Sequence, residues 1–215
     1  SCDDMIDPHE FVEHLQSNAV EFFTGVPDSL LKDLCGCLEQ LPRADQHIVA
    51  ANEGGAIALA LGYHLATRKV PLVYLQNSGL GNVINPLLSL VDEEVYSIPM
   101  LLVIGWRGEP DVHDEPQHKK QGRVMLAMLE AMEIPYSVLG PEVDHAETIL
   151  ADALAYVRKA SAPFALVIKK GTFKAFTGSR VELQEFQLSR EEAIQQALDV
   201  LDENGNRIGG FKQKL

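Results

Sequence analysis

Ala50-Ala51-Asn52-Glu53-Gly54-Gly55, continued by Ala56-Ile57-Ala58-Leu59-Ala60-Leu61-Gly62-Tyr63-His64-Leu65-Ala66, contains one carboxylate and no lysine or arginine. Its Ala and Leu content predicts a buried helix rather than a strand. Asn52 is positioned to cap that helix, which puts Glu53 in the first turn, where the helix dipole favours a negative charge. Gly54, Gly55 and Gly62 leave little side chain and permit close approach by another backbone or a flat ligand. The strand expected before Glu53 and the helix after it both read as buried. An ionised group in such a place requires a partner or an unusual pKa.

Strands and helices alternate on both sides of this stretch. Asp7-Pro8 signals the start of a helix carrying Phe11, Val12 and Leu15. Phe22 to Val26 is an expected strand closed by Pro27, after which Asp28 or Ser29 caps a helix bearing Leu30, Leu31, Leu34 and Leu38. Further strands are expected at His47–Ala51, Pro71–Gln76, Met100–Gly105, Tyr136–Leu139 and Phe164–Lys169. Met100-Leu101-Leu102-Val103-Ile104-Gly105 is uniformly apolar, as a strand covered on both faces must be. A turn at Asn77–Asn82 leads into an apolar helix, Trp106–Gln121 reads as a long polar loop, and Gly122 opens a Met- and Leu-rich helix. The alternation predicts an α/β, doubly wound, mostly parallel six-stranded sheet with helices on both faces. In that architecture ligands lie beyond the carboxyl ends of the strands. Pro27-Asp28-Ser29, Asn52-Glu53-Gly54, Asn77-Ser78-Gly79 and the Trp106–Gln121 loop all follow strands, so they should converge on one edge.

The formal charge of −13 argues against a general affinity for nucleic acid or anionic lipid, though not against a local pocket for a small anion. Cys2, Cys35 and Cys37 make no disulfide framework, and Cys35-Gly36-Cys37 has no matching second pair for a zinc site. A reducing, cytoplasmic compartment follows as an expectation. No apolar run reaches the length of a membrane span, and the N-terminus lacks the pattern of a signal peptide. From Thr177 the character changes. Residues 178–188 read as a linker, and Ser189-Arg190-Glu191-Glu192 heads a helix with Ile194, Leu198 and Leu201 on one face.

Five ordered segments carry a resemblance: Thr24-Gly25-Val26-Pro27-Asp28-Ser29-Leu30-Leu31, Ala51-Asn52-Glu53-Gly54-Gly55-Ala56, Gln76-Asn77-Ser78-Gly79-Leu80-Gly81-Asn82, Ile104-Gly105-Trp106-Arg107-Gly108 and Asp114-Glu115-Pro116-Gln117-His118-Lys119-Lys120-Gln121-Gly122. Together they resemble the pyrimidine-binding domain of thiamine-diphosphate-dependent decarboxylases, in the group of phosphonopyruvate and sulfopyruvate decarboxylases. The resemblance implies that residues 1–177 are that domain, and that 189–215 are the first helix of an absent diphosphate-binding domain plus a flexible tail. It further implies that Glu53 hydrogen-bonds N1′ of the cofactor's aminopyrimidine and helps to remove the proton from the thiazolium carbon. Asn77, Ser78 and Gly79 then line the pyrimidine pocket. Asp28 and His118 are implied in proton transfer, with Ser29, Gln117 and Lys120 on the substrate, a small 2-keto acid bearing a phosphonate or sulfonate. For Asp28 the cap after Pro27 remains an equal reading, and for His118 and its neighbours so does a solvated loop face.

Such enzymes hold the cofactor's diphosphate through Mg2+ on a Gly-Asp-Gly motif, and none occurs in this chain. The expected function is therefore the pyrimidine-side half of a 2-keto-acid decarboxylase, converting 3-phosphonopyruvate to phosphonoacetaldehyde and carbon dioxide, inactive without a diphosphate-binding domain or subunit. A sulfopyruvate decarboxylase subunit, or a non-catalytic regulatory subunit of the same fold, are the alternatives. The expected partners are a second copy in a homo-oligomer, or that missing domain. The helices starting at Glu53 and Gly79 would pack across the interface.

Overall fold

A computed structural model describes residues 5–142 and 145–178. All elements below belong to one compact unit that ends at Ser179. The expected linker beyond Gly178 and the helix and tail at 189–215 lie outside the described residues.

Six strands form one sheet: β1 (Phe23–Gly25), β2 (His47–Val49), β3 (Leu72–Gln76), β4 (Met100–Gly105), β5 (Tyr136–Leu139) and β6 (Pro163–Ile168). Their order is β2-β1-β3-β4-β6-β5, and every pairing is parallel. Side chains alternate between faces, which splits the core in two. Leu101 and Val103 of β4 point to one face, against α1 (Pro8–Ser17), α2 (Lys32–Leu38) and α6 (Ala146–Ala160). Leu102 and Ile104 point to the other, against α3 (Glu53–Thr67), α4 (Leu80–Pro86) and α5 (Pro116–Ala131). The doubly wound, six-stranded expectation therefore holds. Because β1 is followed by a helix on one face and β3 by a helix on the other, the chain parts between these neighbouring strands. That opens the crevice in which such folds place ligands.

Local chemistry fixes several starts and stops. Asp7 accepts a hydrogen bond from the His9 backbone N–H at 2.8 Å, with Pro8 as the first helical residue. Asn52 caps α3 as expected, accepting from Gly55 N at 2.7 Å. The helix ends at Arg68, in the left-handed region at φ 61°, while the His64 ring bonds the Lys69 carbonyl oxygen.

Four expectations need correction. The strand before Glu53 stops at Val49 and lies at the sheet edge, with Ile48 and Val49 exposed, so it is not buried. Helix α3 is buried on one side only: Ala56, Ile57 and Ala60 face the core while Leu59 and Leu65 face outward. Neither Asp28 nor Ser29 caps α2, which starts at Lys32 behind Leu31 without a side-chain cap, because both side chains are engaged elsewhere. Finally, α5 begins at Pro116, so His118 sits in a helical first turn rather than in a loop. Gly122 lies inside that helix because a Cβ there would come 1.7 Å from the Gly108 carbonyl oxygen. It is a packing glycine, not a helix opener.

Gly25 is a second such contact. A Cβ on it would lie 2.0 Å from the Tyr74 carbonyl oxygen and 2.6 Å from its ring. Tyr74 in turn is held by the His47 ring, Nε2 to hydroxyl 2.8 Å. Gly25→Ala is expected to lower stability by at least about 2 kcal/mol, through forced separation of β1 and β3. Urea denaturation followed by circular dichroism measures it; a change within about 0.5 kcal/mol would show that the strands can part without strain.

Candidate functional site

Two groups of side chains meet over the carboxyl ends of β1, β3 and β4. The first is built on the start of α3. Glu53 follows its cap Asn52, so the helix fixes where its carboxylate lies. Asn82, on α4, donates Nδ2 to Glu53 Oε2 at 2.8 Å. The other oxygen, Oε1, faces Gly79, where a Cβ would come within 2.5 Å of it. Any side chain at position 79 would push the carboxylate aside. Glu53 is half-buried, not enclosed.

The second group starts from Asp28, just past β1. Its carboxylate is 6% exposed and turned inward. Gln76, the last residue of β3, donates Nε2 to Asp28 Oδ1 at 2.7 Å, while Ser78 donates its hydroxyl to Gln76 Oε1 at 2.5 Å. Asp28 Oδ2 is buried without a hydrogen-bond partner. It lies over Gly105, where a Cβ would come 2.5 Å from it. A buried carboxylate oxygen left unpaired is costly unless water or a ligand completes its bonding. Because Ser78 adjoins Gly79, the Ser78 end of the Ser78–Gln76–Asp28 chain lies next to the glycine against which Glu53 packs.

Asn77 is 1% exposed and bonds the backbone of Arg107 twice: Nδ2 donates to the Arg107 carbonyl oxygen at 2.7 Å, and Oδ1 accepts from Arg107 N at 3.2 Å. Its side chain is thereby used up in joining β3 to the turn after β4. The Arg107 guanidinium forms two parallel bonds to Asp114, Nε–Oδ2 2.9 Å and Nη2–Oδ1 2.6 Å, and a third from Nη1 to Ser29 Oγ at 2.9 Å. Asp114 also accepts from Gly108 N and Glu115 N. Arg107 beside it, with these two backbone donors, holds the Asp114 carboxyl well below the usual aspartate range.

Of the residues expected from sequence, Glu53, Asp28, Ser29, Asn77, Ser78 and Gly79 thus share one edge. His118, Gln117 and Lys120 stand within the first five residues of α5. The carbonyl of His118 packs against Gly108, and its Nδ1 is buried without a partner. Gln117 and Lys120 are exposed. Sequence reasoning missed Gln76, Asn82 and Asp114 as participants and undervalued Arg107. A polar residue ending the apolar run Leu72-Val73-Tyr74-Leu75 was the available signal for Gln76. Among the described residues, no group of three His, Cys, Asp or Glu side chains converges as a metal site. Burial pushes the Cys35 thiol up to about 12 and the Cys37 thiol to about 11, which disfavours thiolate chemistry at either.

Residues 9–134 match the family described as thiamine pyrophosphate enzyme, N-terminal TPP binding domain. A phosphonopyruvate decarboxylase of Streptomyces viridochromogenes is 32% identical over 167 residues, 78% of this chain and 41% of that protein. The sulfopyruvate decarboxylase subunit alpha of Methanococcus maripaludis is 37% identical over 137 residues, 63% of this chain and 78% of that subunit. The chain therefore spans less than half the length of the phosphonopyruvate enzyme that it matches. Among solved structures, benzoylformate decarboxylase from Polynucleobacter necessarius superposes with a TM-score of 0.60 at 20% identity, over 81% of this chain and 32% of that one.

The depressed Asp114 carboxyl carries a pH signature. Its favourable interactions are fully present above the ordinary aspartate pKa of about 3.9 and are lost as pH falls toward the lower folded-state value. Asp114→Asn is expected to be less stable than the wild type by about 1–3 kcal/mol at neutral pH, with the gap closing below about pH 3. Urea titrations of both proteins across that range would show it; a gap independent of pH would mean that the ion pair contributes nothing through ionisation.

Proposed function

Because the chain belongs to the family of N-terminal, cofactor-binding domains of thiamine pyrophosphate enzymes, we propose that it is the pyrimidine-side half of a 2-keto-acid decarboxylase acting on 3-phosphonopyruvate. The observation that carries the reading is the Glu53 carboxylate, held by Asn82 on one oxygen and opposite the bare Cα of Gly79 with the other. This half of the site fits the flat end of thiamine diphosphate. One carboxyl oxygen is presented from a helix start, the wall beside it lacks a Cβ, and an unpaired oxygen on Asp28 lies along the same edge. The diphosphate and its Mg2+ would be held by another domain or subunit, whose hard oxygen ligands no cluster among the described residues supplies.

Bound there, thiamine diphosphate supplies the electron sink that a departing carboxylate needs. Glu53 shares a proton with the pyrimidine ring nitrogen, and Asn82 keeps that carboxyl from swinging into solvent. Gly79 and the Asn77 clamp shape the floor. Asp28, fixed through Oδ1 by Gln76, keeps Oδ2 free to hold a proton near the reacting carbon. Sulfopyruvate is the second substrate reading, favoured by the 78% of a sulfopyruvate decarboxylase alpha subunit that this chain spans. In either case an assembly supplies the second half. Leu59 and Leu65 on α3 and Leu88 and Leu90 just after α4 offer an exposed apolar face for it, in a dimer or with a diphosphate-binding partner. A cytoplasmic location accords with the buried thiols and with the absence, among the described residues, of a helix long and apolar enough to cross a membrane.

Two outcomes test this. In a complex reconstituted with a matching diphosphate-binding domain, Glu53→Gln is expected to reduce carbon dioxide release by about 10²–10⁴-fold while calorimetry still detects cofactor binding. An active complex indifferent to Glu53→Gln would sink the mechanism. Separately, Leu59→Asp is expected to shift the native assembly to a smaller species in sedimentation, and an unchanged size would remove α3 from the interface.

A further inference from the structure

A cavity of about 370 Å³ opens at the carboxyl edge on the α2 side of the sheet, lined by residues that follow β1, β4 and β6. Ser29, Lys32, Trp106, Arg107, Lys170 and Phe173 form the walls that matter. It also contains three acids, of which Asp114 and Glu109 are paired with cations. Asp114 is bonded by Arg107 and two backbone N–H groups. Glu109 pairs with Lys169 at 3.0 Å, and Asp33 accepts from Phe176 N at 3.0 Å. Lys32 and Lys170 have no carboxylate within ion-pair distance among the described residues. The cavity thus holds two ammonium groups without an ion-pair partner, against one carboxylate, Asp33, that is hydrogen-bonded but not ion-paired, in a chain of net charge −13 and beside an arginine and a hydroxyl already locked in place.

We propose that this cavity seats the terminal phosphonate of the substrate, with Lys32 and Lys170 supplying the charge and Ser29 and Arg107 fixing the orientation. The assignment rests on the decarboxylase reading for the rest of the substrate, but the anion pocket stands or falls alone. Two unpaired cations match a dianion better than a monoanion, which makes the pair a determinant of phosphonate over sulfonate. Trp106 and Phe173 give the connecting carbon an apolar wall. Ser29 directly follows Asp28, so the cavity adjoins the residue whose Oδ2 is unpaired. Gln117 and Lys120, the sequence-based candidates for this task, do not line the cavity.

The test needs neither cofactor nor partner. The full chain, labelled with nitrogen-15, is titrated with methylphosphonate and with methanesulfonate at mildly alkaline pH. Methylphosphonate is expected to give saturable amide shifts at Ser29, Arg107, Lys170 and Gly171, with the sulfonate at least about tenfold weaker. Lys32→Ala and Lys170→Ala, both at exposed positions, are each expected to weaken methylphosphonate about tenfold with the spectrum otherwise unchanged. Absence of saturable shifts, shifts confined to 117–120, or equal affinity in the doubly substituted chain overturns the pocket. Methylphosphonate binding here without carbon dioxide release from the reconstituted complex would instead refute the decarboxylase reading and leave the pocket standing.

Discussion

One buried amide holds the functional edge together. The ladder between β3 and β4 ends at Gln76 and Gly105, and just beyond it Asn77 repeats the ladder's chemistry with its side chain. Its amide gives the Arg107 backbone both an acceptor and a donor. Without it, the Arg107 carbonyl oxygen would lose its partner and the Arg107 N–H would keep only its 3.2 Å bond to the Gly105 carbonyl oxygen, where the chain is already turning away from the sheet. Because Arg107 is fixed, its guanidinium can reach Asp114 and Ser29 at once. That one side chain therefore links the ends of β1, β3 and β4. Serine or alanine in place of Asn77 could not make both bonds.

The edge built this way has two electrostatic characters. On the α3 side, a single carboxylate is presented from a helix start and steadied by one amide. On the α2 side, the cavity carries three acids and three bases, with Arg107 paired to Asp114 and with Lys32 and Lys170 outside any ion pair among the described residues. Asp28 lies between them, with one oxygen satisfied by Gln76 and one bare. In the proposed reading, a molecule with a flat heteroaromatic end and a compact anionic end would meet these two characters in that order along the edge. Leaving Asp28 Oδ2 unsatisfied costs stability, and such costs concentrate where function requires them.

Much of this was readable in advance. Six strands followed from apolar runs of the right length, and β4 in particular from six apolar or glycine positions with no alternation. Asn52 announced the cap that places Glu53, since a side-chain acceptor before an Ala-rich run has few other uses. What stayed hidden depended on contacts across long separations. Gln76 and Asp28 are 48 residues apart, and nothing local distinguishes an aspartate that caps a helix from one drawn inward by a strand's last residue. Gly122 has the local look of a helix boundary, yet its small size serves the backbone of Gly108 against it. Helix α3 looked buried because alanine and leucine fill both its faces; only the fold shows that Leu59 and Leu65 face outward.

The proton at the thiazolium carbon of thiamine diphosphate gives the most direct test of Glu53. Its exchange for deuterium can be followed by quench and proton NMR in the complex of this chain with a diphosphate-binding domain, without any substrate. Exchange should be accelerated in the wild-type complex and fall back to the rate of free cofactor in Glu53→Gln, with cofactor occupancy unchanged. Equal acceleration in both would contradict the role assigned to this carboxylate.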